Sequence, residues 1–197
     1  MSKELICASN NEDKLREYRQ LLAPYGISVI SQAEAGFDID VEETGDTYIA
    51  NARLKADALY SATHRAVFAD DSGIEVEALG NGPGVYSHRY AEPGQHCQKM
   101  LSDMADVPAE KRGARYVTCI HYIDENGAHY DFEGECKGRV ANSPRGENGF
   151  CYDYIFEASN GKTYAEMTSS EKNGISGRWD ASQKMIKAIA SLDLKAN

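Results

Sequence analysis

Apolar positions recur at helical spacing in several parts of the chain. In residues 12–22 they fall on one face, and Pro24 and Gly26 end the element. The same spacing predicts further helices over residues 47–62, 95–104 and 180–192. Each of these segments therefore has an apolar face that a core could cover.

Strand-like runs alternate with helices early in the chain and follow one another later. Strands are predicted over residues 5–9, 27–30, 66–70, 74–78, 115–123, 129–140 and 154–156. Ser72 and Gly73 are predicted to form the turn that ends the third strand. The Asn126-Gly127 pair indicates a hairpin between the two longest runs. This order predicts an α/β fold with a mixed sheet.

Composition narrows the class of protein. With 197 residues, of which 42% are hydrophobic, the chain can bury a core as one domain or as two joined lobes. Its apolar runs are shorter than the roughly 20 residues that span a bilayer. The short run that follows Met1, Ser2, Lys3 and Glu4 does not read as a signal peptide. We therefore expect a cytoplasmic protein that does not enter membranes.

Cysteine usage and charge exclude other classes. The five cysteines are odd in number and form no CxxC pair, which argues against a disulfide framework or a zinc site. A net charge of −10 argues against binding to a nucleic acid polymer, which needs a basic surface. It still permits a small anionic ligand if local cations and a metal offset the field.

Two adjacent carboxylates, Asp70 and Asp71, end the apolar run that contains Val67 and Phe68. Neighbouring strand residues point to opposite faces, so we expect at least one carboxylate to lie beside the core. A buried carboxylate needs an ion pair, a hydrogen bond or a metal. The alternative is an aspartate that caps a turn, and the segment alone does not decide between the two.

The first predicted strand leads into the first helix through a polar loop. A strand that feeds a helix aims free backbone N–H groups and a positive dipole end at an anion, and Lys14 adds a charge. The alternative is an ordinary helix cap with a solvated lysine. The loop and first turn comprise Ser9, Asn10, Asn11, Glu12, Asp13 and Lys14.

Glu42 and Glu43 precede the second helix, along which Asn51 and Lys55 share a face. The carboxylates of Glu42 and Glu43 are hard oxygen donors that, together with Asp71, would suit Mg²⁺. The alternative is a helix N-terminus that favours acidic residues.

Two later segments carry side chains that could contact a ligand. The loop of Phe150, Cys151, Tyr152 and Asp153 could stack on and hydrogen-bond a flat heterocycle, or its aromatic rings could be ordinary core residues.

The other segment places Lys172 and Arg178 at helix margins, where they could meet phosphates or a base edge. Alternatively, they form surface ion pairs with Glu171 and Asp180.

In sequence order, these segments resemble the inosine triphosphate pyrophosphatase family of purine nucleoside triphosphate pyrophosphatases. The matching segments are residues 9–14, 42–56, 69–73, 83–90, 149–156 and 165–178. The resemblance implies one domain over residues 1–197, with an elongated mixed β-sheet flanked by helices and two lobes with a cleft between them. It also implies a homodimer and Mg²⁺-dependent hydrolysis of ITP, dITP or XTP to the monophosphate and pyrophosphate.

The resemblance also implies residue roles. The loop of Ser9 to Lys14 would hold the triphosphate, and Lys14 would act in catalysis with the carboxylates. Glu42 and Asp71 would ligate Mg²⁺, and Asp71 would accept the proton of the attacking water. Ser72 and Lys172 would contact phosphates. The purine pocket would comprise Phe150, Cys151, Tyr152, Asp153 and Arg178.

The chain departs from the family pattern near the predicted base pocket. Gly177 stands where the family has a histidine, Cys151 where it has a glycine and Tyr154 where it has a proline. His88 replaces a residue that is usually small. The sequence therefore predicts that triphosphate cleavage is kept while purine discrimination is weakened or altered. Alternatives are a different nucleotide preference, a nucleotide-binding protein without turnover, and an α/β domain whose acidic loops are only caps.

Overall fold

The computed structural model describes residues 3–195. Met1 and Ser2, which belong to the segment predicted not to be a signal peptide, lie outside the described residues. Contacts divide the chain into two compact units. Unit 1 holds the chain up to Asp71, Thr118–Gly134 and the chain from Arg178, and unit 2 holds Ser72–Val117 and Glu135–Gly177. The predicted single domain over residues 1–197 stays a prediction.

The four helices predicted from apolar periodicity are confirmed, although the last of them begins earlier than predicted. Asn11 caps the first, since its Oδ1 accepts a hydrogen bond from the Lys14 backbone N–H at 3.0 Å. Thr47 caps the second in the same way. No helix among residues 3–195 is long and apolar enough to cross a membrane. The α-helices are α1 (Glu12–Leu22), α2 (Tyr48–Thr63), α3 (His96–Asp103), α4 (Ser169–Lys172) and α5 (Gly177–Lys195). The short α4 was not predicted from periodicity.

The strands pair into one sheet of the order β2-β1-β3-β5-β6-β7, with β4 beside β3. β1 runs parallel to β2 and β3, whereas β3–β4 and β6–β7 are antiparallel pairs. The predicted α/β fold with a mixed sheet is confirmed. The strands are β1 (Lys3–Cys7), β2 (Ile27–Ser31), β3 (Val67–Val76), β4 (Gly82–Pro83), β5 (Gly113–Ile123), β6 (His129–Val140) and β7 (Phe156–Ala158).

Each unit has its own buried core. In unit 1, α1 and α5 contribute Leu15, Tyr18 and Met185 to a core with β1 and β3 residues. A second cluster in unit 1 contains Ala56 and Leu59 of α2. In unit 2, the core includes Ile74, Met100, Tyr152, Phe156 and Tyr164. The apolar faces predicted from periodicity are therefore the buried ones.

The predicted turn at Ser72-Gly73 is wrong, because β3 continues through it to Val76. β3 pairs with β1 at its start and with β4 at its end, and β5 is its other neighbour in the sheet. This pairing keeps the segment extended despite its local turn preference.

The predicted strand over residues 154–156 is displaced. Cys151–Tyr154 form a 3₁₀ turn, and β7 begins only at Phe156. The Asp153 carboxylate accepts a hydrogen bond from the Phe150 backbone N–H at 2.9 Å, and this local bond favours the turn.

Candidate active site

Asp70 lies at the centre of a charged cluster in unit 1. Its side chain is buried, with the residue 2% exposed, and its Oδ2 lies 3.1 Å from Lys14 Nζ and 3.4 Å from Arg178 Nη2. Because β1 and β3 are parallel neighbours, the loop after β1 and the β3 residues that follow Phe68, its last position paired with β1, reach the same edge of the sheet. Parallel pairing thus brings Lys14 to Asp70.

Arg178, at the start of α5, is tied to two carboxylates. Nη1 contacts Glu17 of α1 in addition to the Nη2 contact with Asp70, and the guanidinium carbon lies 5.4 Å from the centre of the Tyr18 ring. All three partners belong to unit 1. The surface pair between Arg178 and Asp180 considered from the sequence is wrong, since Arg178 is buried and Asp180 pairs with Lys184.

Asp71 is held by an amide. The buried Asn51 of α2 donates from Nδ2 to Asp71 Oδ2 at 3.0 Å, and its Oδ1 accepts from the Gly45 N–H at 2.8 Å. Gly45 has no room for a side chain, because an added Cβ would lie 2.7 Å from Asn51 Oδ1. The loop before α2 therefore orients Asn51, and Asn51 orients Asp71.

Lys55, one helical turn after Asn51, lies beside both aspartates. Its Nζ donates to Glu43 Oε1 at 2.6 Å and to the Asp70 backbone oxygen at 2.7 Å. The expectation that Asn51 and Lys55 share a face of α2 is confirmed, since both reach the Asp70-Asp71 segment. The alternative of an acidic helix N-terminus is wrong, because α2 begins at Tyr48 and has no acidic residue in its first turn.

The pKa values of the two adjacent aspartates are shifted in opposite directions. Burial acts to raise the pKa of Asp70, but Lys14, Arg178 and Lys55 together hold it well below its ordinary value. For Asp71, burial is the largest influence and leaves the pKa above its ordinary value, although Lys55, Lys14 and Asn51 oppose it. Asp70 is thus kept ionised, whereas Asp71 is the better proton acceptor.

The predicted triphosphate loop has the geometry of a helix cap. Ser9 Oγ accepts a hydrogen bond from the Asn11 N–H at 3.1 Å, and Asn10 is exposed. Asp13 pairs with Arg16, while Glu12 is an exposed residue of the first turn. The alternative of a solvated lysine at Lys14 is wrong, because Lys14 pairs with Asp70.

The predicted metal ligands differ in their surroundings. Asp71 is buried, whereas Glu42 is exposed in the loop before α2. In the part of the chain that the structure describes, the Glu42 side chain forms no hydrogen bond or ion pair. Asp70 Oδ1 is buried and has no hydrogen-bond partner among residues 3–195. An unpaired buried carboxylate oxygen is a hard donor of the kind that Mg²⁺ prefers.

The remaining predicted site residues lie in unit 2. Lys172, the last residue of α4, is buried, and its Nζ donates to Asp153 Oδ2 at 2.6 Å. It also lies 5.0 Å from the centre of the Phe150 ring and 5.2 Å from that of Tyr164. The alternative surface pair with Glu171 is therefore wrong for Lys172. Ser72, half-buried, is the first residue of this unit.

The loop that precedes β7 contains both buried and partly buried aromatic side chains. Tyr152 is buried, and its hydroxyl donates to the Ser87 carbonyl at 2.8 Å, so the core interpretation holds for this ring. Phe150 is only partly buried. Cys151 adopts a left-handed backbone with φ of 54°, and burial raises the pKa of its thiol to about 12. A glycine at this position would adopt that backbone without strain.

Several residues of the unit 1 cluster were not among the predicted site residues. The sequence pattern assigns no site role to Asp70, Asn51 or Lys55, and it does not single out Glu17. Glu17 is four residues before the buried Leu21, and this spacing is the signal that could have placed it on the inner face of α1.

Comparisons with known proteins agree with the resemblance identified from the motifs. A dITP/XTP pyrophosphatase of Symbiobacterium thermophilum is 44% identical over 196 residues, covering 96% of each chain. One of Bacillus subtilis is 42% identical over 192 residues, covering 95% of this chain and 97% of the relative. The solved structure of a HAM1 protein from Coxiella burnetii has a TM-score of 0.85 at 36% identity, covering 96% of this chain and 99% of that one. The Ham1 family model matches residues 5–188, and the chain therefore belongs to the Ham1 family.

Proposed function

We propose that this protein hydrolyses the purine nucleoside triphosphates ITP, dITP and XTP to the monophosphate and pyrophosphate. The relatives named dITP/XTP pyrophosphatase, which cover nearly the whole chain, support this reaction. The observation that carries the proposal within this chain is the pairing of a strongly ionised Asp70 with an Asp71 of raised pKa, beside two lysines.

Asp71 is the proposed proton acceptor. A carboxylate that accepts a proton from water during attack on a phosphoryl group works best when its pKa lies nearer the working pH. Burial raises the pKa of Asp71 in that direction, and the hydrogen bond from Asn51 keeps the carboxylate in one orientation. Attack of the water at the phosphoryl group nearest the sugar would release pyrophosphate as the leaving group.

Charge neutralisation is the second requirement of the reaction. Lys14 and the backbone N–H groups at the start of α1 are proposed to receive the triphosphate, and Ser72 and Lys172 to contact its phosphates. Glu12 and Asp13 would contribute only through their backbone, because an anion is repelled by their carboxylates. Glu42 and Asp71 would hold Mg²⁺, with Asp70 Oδ1 as a further oxygen donor. When bound, this ion would neutralise charge on the phosphates.

Recognition of the base is proposed for unit 2. Phe150 offers a partly exposed ring for stacking, and Asp153 and Lys172 offer polar groups beside it. Arg178 was predicted to join this pocket, where its donors would favour a 6-oxo purine over adenine. Its ion pairs with Glu17 and Asp70 instead support a role in positioning Asp70.

An altered base preference is the second candidate, and the backbone of Cys151 favours it. A side chain at φ of 54° occupies a position where the family has glycine, next to the proposed stacking ring. Gly177, in place of a histidine, opens α5. Gly177→His is expected to raise kcat/KM for ITP relative to GTP. An unchanged ratio would contradict the idea that this position sets the preference.

We also propose the cytoplasm as the location and a homodimer as the assembly. The proposed substrates are metabolites of the cell interior, and the resemblance implies a dimer. Sedimentation of the full chain would test the assembly independently of activity.

The reaction is tested by pyrophosphate release from ITP, XTP, dITP, GTP and ATP with Mg²⁺. We expect turnover of the first three substrates, and loss of that turnover in Asp71→Asn by a factor of roughly 100 or more, as for removal of a general base. Asp106→Asn is the matched control, since Asp106 is exposed and lies outside the site. Tight binding of ITP without pyrophosphate release would identify a nucleotide-binding protein instead.

A further inference from the structure

Two histidines and an aspartate of unit 1 converge outside the proposed active site. His121 Nε2 lies 3.0 Å from His129 Nδ1 and 3.9 Å from Asp57 Oδ1. His129 Nδ1 lies 3.6 Å from the same Asp57 oxygen. The possible metal ligands of the three side chains all lie within 4.8 Å of one another. Among residues 3–195, no other three His, Cys, Asp or Glu side chains come together in this way.

The trio is assembled by elements that the fold already holds together. His121 lies near the end of β5 and His129 begins β6, so the hairpin brings the two rings side by side. Asp57 belongs to α2, two residues after Lys55. Residues two apart on a helix do not face the same way, so α2 presents Lys55 to the aspartates and Asp57 to the histidines.

We propose that His121, His129 and Asp57 bind one divalent transition-metal ion of the Zn²⁺ type. Zn²⁺ is bound at about 2.0–2.1 Å, so neighbouring ligand atoms of a tetrahedral site are roughly 3.3 Å apart. The three distances of 3.0, 3.6 and 3.9 Å bracket this value. Imidazole nitrogens favour Zn²⁺ over Mg²⁺, which prefers oxygen ligands only. Water would complete the coordination.

Asp131 supports the proposal from behind His121. The buried His121, 2% exposed, places Nδ1 at 2.6 Å from Asp131 Oδ1. Because a carboxylate accepts hydrogen bonds, the neutral His121 ring donates its Nδ1–H to Asp131 and turns its Nε2 lone pair to the trio. Arg53 in turn pairs with Asp131. Metal-ligating histidines usually donate their other ring N–H to a carboxylate in this way.

The sequence argument against a zinc site considered cysteines alone. His121 and His129 are eight residues apart, and the hairpin that joins them was predicted. Their convergence with Asp57 depends on how α2 packs in unit 1, and spacing along the chain does not show it.

The test is Zn²⁺ binding by the full chain after chelator treatment, in competition with a chromophoric chelator. We expect one Zn²⁺ per chain, lost in His129→Ala. The exposed His129 is chosen because replacing the buried His121 could prevent folding. Co²⁺ is expected to give visible bands without the ultraviolet thiolate band that cysteine ligation would add.

Control variants separate this site from others. His64→Asn removes an exposed histidine that caps the C-terminus of α2, outside the trio, and this variant is expected to bind Zn²⁺ like the parent. Asp71→Asn is also expected to bind normally, whereas Asp131→Asn should weaken affinity by about 10–100-fold. Equal binding by His129→Ala and the parent, loss in Asp71→Asn, or no binding by the parent would each overturn the proposal.

Discussion

Asp70 and Asp71 are chain neighbours with the same side chain, and their surroundings separate their chemistry. Lys14 and Arg178 meet the carboxylate of Asp70, whereas Asn51 meets that of Asp71. Titratable groups whose environments push their pKa values apart are typical of sites that need one fixed charge and one proton acceptor. The residue pair therefore supports the roles proposed for it.

Lys55→Met is expected to move the acid limb of the kcat/KM profile to higher pH. After burial, Lys55 is the largest influence on the pKa of Asp71, and it lowers that pKa. Removing the cation would raise the pKa further, so Asp71 would lose its proton only at higher pH. The measurement is the pH profile with ITP, with the exposed Lys187→Met as the control. A limb that stays in place would mean that Asp71 is not the titrating base.

Asp70→Asn is expected to destabilise the protein by about 3–5 kcal/mol near neutral pH, because it removes a buried counter-charge of Lys14 and one of the two carboxylates that pair with Arg178. The pKa of Asp70 is lowered by folding. Its stabilising effect is therefore complete above the unfolded pKa, about 3.9, and disappears as pH falls further. The difference from the parent should shrink in acid.

Urea unfolding at a series of pH values measures this difference. Glu4→Gln, which breaks an exposed pair with Arg65, should change stability by at most about 1 kcal/mol. A difference for Asp70→Asn that persists unchanged in strong acid would contradict the assigned pKa direction.

The turn before β7 combines left-handed backbone angles with hydrogen bonds of the Asp153 side chain. Gly149 has φ of 94°, and Asp153 reaches back to the Phe150 N–H while holding Lys172. The left-handed Cys151 lies inside the same turn. This turn therefore links the proposed stacking ring, Phe150, to the proposed phosphate contact, Lys172.

Gly149→Ala is expected to lower the free energy of unfolding by more than the strain of a positive φ alone would. An added Cβ would lie 2.9 Å from Asp153 Cγ, so the carboxylate that holds Lys172 would have to move. Gly161→Ala is the matched control, with φ of 78° but open space around the added Cβ. We expect about 1–2 kcal/mol for the control and about 1–3 kcal/mol more for Gly149→Ala. Equal changes in thermal unfolding would contradict the clash.

Helices whose apolar residues recur at regular helical spacing could be predicted from the sequence. Strand boundaries that depend on pairing with distant strands could not. α1 has the predicted bounds, residues 12–22, because its apolar positions and the residues after it agree. The sequence predicts two strands, over residues 66–70 and 74–78, where the structure has the single strand β3, because a local turn preference at Ser72 says nothing about the strands on either side. The motifs likewise indicated Lys14 and Asp71, while Glu17 joins the site only through α5, far along the chain.

The net charge of the whole molecule is expected to oppose the approach of the proposed anionic substrate. The chain carries −10, yet a triphosphate must approach Lys14 and Lys55. In unit 1 these cations face carboxylates, so their positive charge is largely compensated. Long-range attraction is therefore not expected to bring the substrate to the site.

The ionic-strength dependence of kcat/KM tests this last point. The Debye length falls from about 30 Å at 0.01 M salt to about 8 Å at 0.15 M, so added salt screens the distant acidic groups more than the nearby cations. Repulsion of the anionic substrate by the whole molecule would then weaken, and kcat/KM for ITP should rise over this range at saturating Mg²⁺. If cations of the protein attracted the substrate over long range, kcat/KM would fall instead, because salt lowers the association rate of oppositely charged molecules. The control is the same titration on a variant with Asp38→Asn, Asp46→Asn and Asp106→Asn, in which a smaller net negative charge should flatten the rise.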